Sequence, residues 1–99
     1  MKEFIVKKHE YEGKVVLAIC DKELLGKKIV EEKKQLDITL KFYKGTEKND
    51  LELKELIKKN ILINAVGKKI IALLINEEII SEKEIKFVKG IPHIQIILL

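Results

Sequence analysis

Hydrophobic and polar positions along this chain change period several times, and each change marks an element. Phe4 to Lys8 begins as a β-rich segment, with Glu12-Gly13 supplying a turn. Val15-Val16-Leu17-Ala18-Ile19-Cys20 is an unbroken apolar run of strand length, the pattern of a central strand buried on both faces. Asp21 to Gly26 reads as a short helical turn stopped by glycine, with Asp21 placed to cap it. From Leu36 the period is two: Leu36, Ile38, Leu40 and Phe42 alternate with Asp37, Thr39 and Lys41, which predicts a half-buried strand over 36–42.

The second half switches to helical spacing. Tyr43 to Lys48 is a polar loop, and Asn49 followed three residues later by Glu52 has the form of a capping box. It predicts a helix over 50–60 with Leu53, Leu56 and Ile57 as its apolar stripe and Asn60 closing it; Lys58 and Lys59 suit the negative end of its dipole. Ile61-Leu62-Ile63 is too short to assign. Asn64 then caps a second predicted helix, 65–76, with Val66, Ile70, Leu73 and Leu74 on one face. Ile71 and Ile75 make a second face apolar, so this helix is expected to lie buried between other elements. After a turn at Ser81-Glu82, residues 84–89 and 94–99 read as strands joined at Gly90-Ile91-Pro92. Strands, then helices, then strands give one globular α+β domain over residues 1–99. Its sheet is expected to be mainly antiparallel, with two principal helices packed on one side and a C-terminal β-hairpin.

Composition narrows the function. No stretch reaches the roughly 18 uncharged apolar residues of a membrane span, and the first residues show no signal-peptide pattern, so a cytoplasmic protein is expected. Cys20 is the one cysteine, which rules out an internal disulfide. The 20 basic residues are all lysine, against 16 acidic ones, for a net charge of +4. Without arginine there is no bidentate guanidinium reader of guanine, but a lysine surface that attracts a phosphate backbone is permitted. The same Lys/Glu- and Ile-rich balance is also the compositional mark of hyperthermophile proteins.

Four short segments, taken in order, carry a family resemblance. They are Cys20-Asp21-x-Glu23-Leu24-Leu25-Gly26-Lys27, Phe42-Tyr43-x-Gly45, Asn64-x-Val66-Gly67 and Gly90-x-Pro92-His93-x-Gln95. Together they resemble the small archaeal proteins grouped as domain of unknown function four-hundred-and-twenty-four, over nearly the whole chain. The chain departs from that pattern at Asn76-Glu77, where relatives commonly have glycine, and at Ile94, where they have alanine. The resemblance implies an archaeal cytoplasmic protein associated with RNA or translation, and it brings no activity with it.

Candidate chemistry is sparse. Cys20, Asp21 and His93 are the residue types a nucleophile–base pair needs, which with Cys20 or His93 would act on a small anionic substrate; the plainer reading is that Cys20 ends a buried strand as a small hydrophobe and His93 packs at a hairpin corner. His9, His93 and Cys20 show no ligand spacing for a metal, and no cofactor is implied. Asn64-x-Val66-Gly67-Lys68-Lys69 offers a helix start, a glycine that permits close approach and two cations, the makings of an anion site; the plain alternative is an ordinary cap. His93 and Gln95 share one strand face, with Tyr43 as a stacking or polar contact. The expectation is therefore a non-catalytic RNA-binding or translation-associated module, with RNA or ribosome components as partners. It would contact phosphate through Asn64, Gly67, Lys68 and Lys69, with Tyr43, His93 and Gln95 nearby. The rivals are the Cys20/His93 enzyme and an adaptor that pairs through an exposed edge strand at 96–99.

Overall fold

In a computed structural model that describes residues 1–59 and 62–97, strand β1 (Phe4–Tyr11) turns back on β2 (Lys14–Asp21) through Glu12 and Gly13. Both turn residues have positive φ, 49° and 77°, the twist that a two-residue hairpin requires. The chain then makes a short 3-10 turn at Lys22–Leu24 and enters a small hairpin of β3 (Lys28–Glu31) and β4 (Lys34–Asp37). There follow α1 (Leu40–Tyr43), β5 (Thr46–Lys48), α2 (Asp50–Lys58), β6 (Leu62–Val66) and α3 (Lys68–Asn76). A second tight turn at Lys89 and Gly90, with φ of 48° and 78°, joins β7 (Lys86–Val88) to β8 (Ile91–Ile97) as the expected C-terminal hairpin.

The main sheet has six strands in the order β5-β1-β2-β6-β8-β7. Its neighbours are antiparallel except for β2 and β6, which run parallel with Ala18 opposite Asn64 and Cys20 opposite Val66. The apolar run in β2 is buried on both faces, as its composition predicts. Leu17 and Ile19 pack with Leu53 and Ile57 of α2 and with Ile70 and Leu74 of α3. Ala18 and Cys20 pack on the opposite face against Leu24, Ile38 and Tyr43. The molecule is thus three layers deep: two helices, the sheet, and a thinner cover of β3, β4 and α1.

The capping box of α2 forms as expected. Asn49 Oδ1 accepts from the Glu52 N–H at 2.9 Å, and Glu52 Oε1 accepts from the Asn49 N–H at 3.0 Å. Asn60 and Ile61 lie outside the described residues, as do Leu98 and Leu99 at the predicted end of the C-terminal strand.

Three expectations need correction. The period-two stretch 36–42 is not one strand: β4 ends at Asp37, and the Thr39 hydroxyl accepts from the Phe42 N–H at 3.1 Å, turning Leu40–Tyr43 into α1. A local cap outweighs the alternation because β4 pairs only with β3, so no ladder draws the strand onward. Asn64 caps no helix. It lies within β6, whose Ile63, Ala65 and Val66 are buried, and α3 starts three residues later than predicted, after Gly67. Asp21 makes no bond to the 3-10 turn that follows it; its side chain goes elsewhere.

Candidate functional site

The four resembling segments lie far apart in sequence and meet around β6. Asp21, only 2% exposed, accepts the backbone N–H groups of Lys69 and Ile70 at 2.8 and 2.9 Å. It thereby caps α3 from the end of β2. Gly67, with φ of 126°, makes this possible, because a Cβ there would collide with the Asp21 carboxylate. The Gly67 N–H donates to the Pro92 carbonyl at 2.9 Å. The Tyr43 hydroxyl donates to Asn64 Oδ1 at 3.3 Å, and Asn64 faces Gln95 across the β6–β8 ladder.

This arrangement divides the predicted site residues. The start of α3 already holds a carboxylate, and Lys69 reaches Glu23 and Glu3, each at 3.6 Å, which raise its pKa, Glu23 the more. Lys68 is exposed on the helix side, beside Ile71, Ile75 and Glu82. Tyr43, Asn64, His93 and Gln95 belong instead to the opposite layer. Register puts Asn64, His93 and Gln95 on one sheet face together with Lys7, His9, Val16, Leu62 and Ile97, and Tyr43 reaches that face from α1 through its bond to Asn64.

Three grooves include residues of that face. At the β1 end, Lys7, His9, Thr39, Lys41 and Phe42 line the first. There His9 stacks on Phe42 with ring centroids 4.5 Å apart and an interplanar angle of 18°, and Lys7 Nζ donates to the Lys41 carbonyl at 2.7 Å. The central groove is lined by Val16, Leu62, Ile63, Asn64, Gln95, Ile96 and Ile97. The third, at the β7 end, holds Lys34, Gln35, Lys86 and His93. No carboxylate lines any of the three, whereas the groove beside α2 and α3 is lined by Glu3, Asp50 and Glu77. From sequence, His9 stands out only as an isolated histidine and Lys7 and Lys34 only as members of lysine pairs of the kind that form a solvated surface; Lys41 and Lys86 carry no local mark in a lysine-rich chain.

Tyr43 is buried, and burial above all pushes its hydroxyl pKa up to about 12, so it stays a hydrogen-bond donor. Asn64 Oδ1 is therefore engaged, and the Asn64 amide N–H groups have no partner among the described residues. Gln95 is exposed.

Cys20 and His93 do not form a pair. Both are aligned with Val66, on the strand that separates them, so they stand two strand spacings apart, about 10 Å. Cys20 is fully buried, and its thiol is pushed up to about 12, first by burial and then by Asp21 and Glu23. Among the described residues, no group of three or more His, Cys, Asp or Glu side chains is placed to hold a metal ion, and no helix is long and apolar enough to cross a membrane.

Beyond His93, strand β8 pairs with β6 alone, so Ile94–Ile97 have one edge without a neighbouring strand among the described residues. That half-open edge includes part of the stretch expected to serve an adaptor. Ile97 is 65% exposed.

No curated protein matches the chain. The crystal structure of an uncharacterized conserved protein from Methanopyrus kandleri is similar over 97% of this chain and 93% of that one, with 26% identity and a TM-score of 0.76. Residues 9–99 match the family described as "Protein of unknown function (DUF424)", and the chain belongs to that family.

Proposed function

We propose that this chain is a non-catalytic module that binds single-stranded RNA along the part of the sheet face opposite its two main helices that β3, β4 and α1 leave uncovered, at Val16, Leu62, Asn64, Gln95 and Ile97. The observation that carries this reading is a face whose three grooves contain lysines, stacked rings and carboxamides but no carboxylate, in a chain with 16 acidic residues. From β1 to β7 the face spans four strand spacings, roughly 19 Å. That length suits about five nucleotides at the rise of a stacked strand. Lys7 and Lys41 at one end and Lys34 and Lys86 at the other would hold phosphates, while Phe42 and His9 offer a ring surface for a base. Asn64 and Gln95 lie between them as hydrogen-bonding groups for base edges. The start of α3 contributes little in this reading, since Asp21 supplies its anion.

Fluorescence anisotropy with a short labelled single-stranded RNA at low salt tests it. Gln95→Ala, at an exposed position, should weaken binding several-fold, and Lys7→Gln with Lys41→Gln more strongly. Lys58→Gln with Lys59→Gln, on α2, removes the same charge and should act least. If no single-stranded RNA binds at low salt, the reading falls. The half-open edge of β8 supports a rival, a protein partner that adds a strand beside Ile94–Ile97. Proline substitutions scanned singly over 94–97, keeping those variants that stay folded by circular dichroism, would block that pairing without removing a lysine.

A further inference from the structure

We propose that the groove between the two small hairpins is a phosphate-binding subsite, holding a phosphate oxyanion of the RNA that lies on the adjoining sheet face. The inference rests on the RNA reading for the source of that phosphate, but the subsite has its own geometry. Its volume is about 430 Å³, and it is lined by Lys34, Gln35, Lys86, Phe87, Val88 and His93. Lys34 comes from β4 and Lys86 from β7, two elements distant in sequence that converge here. Lys86 lies directly across the ladder from His93, so their side chains share a face.

The groove is lined by two cations and no carboxylate; Glu31, across the β3–β4 ladder from Lys34, uses one carboxylate oxygen to accept the Lys89 N–H. Neither Lys34 nor Lys86 has an acidic partner among the described residues, although six ion pairs form elsewhere on the surface. Like charges facing one recess repel, and an anion between them relieves that repulsion. The positive field reaches the imidazole: burial first, then Lys86, holds the His93 pKa below its usual value. The recess is also fixed in shape. Its floor includes buried Val88, and Glu31 Oε1 on the β3–β4 hairpin accepts the Lys89 N–H at 2.9 Å, tying the two hairpins together without entering the groove. Ammonium groups are compact charges with rotatable donors, suited to a tetrahedral oxyanion, and the Gln35 amide adds a further donor. A terminal phosphomonoester and an internal phosphodiester both present that chemistry.

The chain contains two histidines, which makes the test direct. Inorganic phosphate is titrated into the full chain while the ring resonances of His93 and His9 are followed by NMR. The expected result is a saturable shift at His93; any shift at His9, which lines the separate groove of Lys7 and Lys41, should persist when Lys34 and Lys86 are changed. Lys34→Gln with Lys86→Gln should weaken the His93 response roughly tenfold or more, the scale of losing charge-assisted bonds. Lys58→Gln with Lys59→Gln should leave it in place. No shift at His93, or equal effects of the two lysine pairs on it, would overturn the subsite. RNA with a 5′-phosphate and with a 5′-hydroxyl are then compared. Tighter binding of the phosphorylated RNA that depends on Lys34 and Lys86 assigns a terminal monoester. Equal binding of both, lost together in that variant, assigns an internal diester. RNA binding untouched by Lys34→Gln with Lys86→Gln would overturn the subsite and leave the RNA reading standing. A His93 phosphate shift with no RNA binding would support the subsite and overturn the RNA reading.

Discussion

Asp21 and Gly67 are held face to face, 46 positions apart in sequence, and the Asp21 carboxylate fills the space that any side chain at position 67 would need. The Asp21 carboxylate sits where a Cβ on residue 67 would be, and it accepts the Lys69 and Ile70 N–H groups that open α3. The φ of 126° and ψ of 153° at Gly67 belong to a region that glycine alone occupies at low cost. Gly67→Ala is therefore expected to destabilise the fold by about 3 kcal/mol or more, combining backbone strain with loss of the cap. Urea unfolding measures it, and a loss under about 1 kcal/mol would show that the carboxylate can move aside cheaply.

Asp21 and His93 set opposing pH dependences. Burial raises the Asp21 carboxyl pKa, and the two backbone donors only partly offset it. A raised folded value means the folded state holds that proton more tightly than the unfolded one. Its stabilising contribution is complete below the unfolded value and is lost as pH rises through the folded value. His93 is lowered from 6.5, first by burial, so its neutral form is favoured and stability falls as pH drops below 6.5. Stability curves for the native chain and Asp21→Asn should diverge as pH climbs above about 4, with the variant free of the carboxylate's decline. Parallel curves would show that Asp21 keeps its ordinary titration.

Cys20 should be inert in the native state. With the thiol fully buried and pushed up to about 12, reaction with a thiol reagent at neutral pH is expected only through opening of the sheet. Labelling should therefore accelerate strongly in denaturant. Fast labelling of the folded chain would place the sulfur in an accessible recess.

Tyr43→Phe removes the hydroxyl that engages Asn64 and should cost about 1 kcal/mol. It also frees Asn64 Oδ1, so RNA affinity should change at the central groove while salt dependence stays the same. A changed salt slope would instead indicate that α1 and Lys41 had shifted.

RNA affinity itself should fall steeply with added salt, with a log–log slope near −0.7 for each phosphate contacted on a single strand. Discrimination between sequences should be weak, because the chain has no arginine. Lys68→Glu with Lys69→Glu should cost less affinity than Lys34→Glu with Lys86→Glu. The reverse order would return the contact to the helix start.

By itself the sequence determined what depends on near neighbours. The capping box of Asn49 and Glu52, the apolar stripe of Leu53 and Ile57, the doubly buried run 15–20 and the glycine-assisted hairpin turns each record an interaction within a few residues. Such interactions leave a local pattern whatever the rest of the chain does. What only the tertiary structure decided was every pairing across distance. Asn64 looks like a cap because it precedes Gly67 and an apolar helix; it is a strand residue because β2 and β8 supply a ladder on either side of it. Asp21 looks like the cap of its own turn, yet the helix it caps begins beyond Gly67. The basic groove is equally nonlocal, since Lys34 and Lys86 meet only when two hairpins pack together. Capping and periodicity are read within one turn or one strand. Partners separated by half the chain are chosen by which buried polar groups and apolar faces the whole fold must satisfy at once, and no short window of sequence carries that choice.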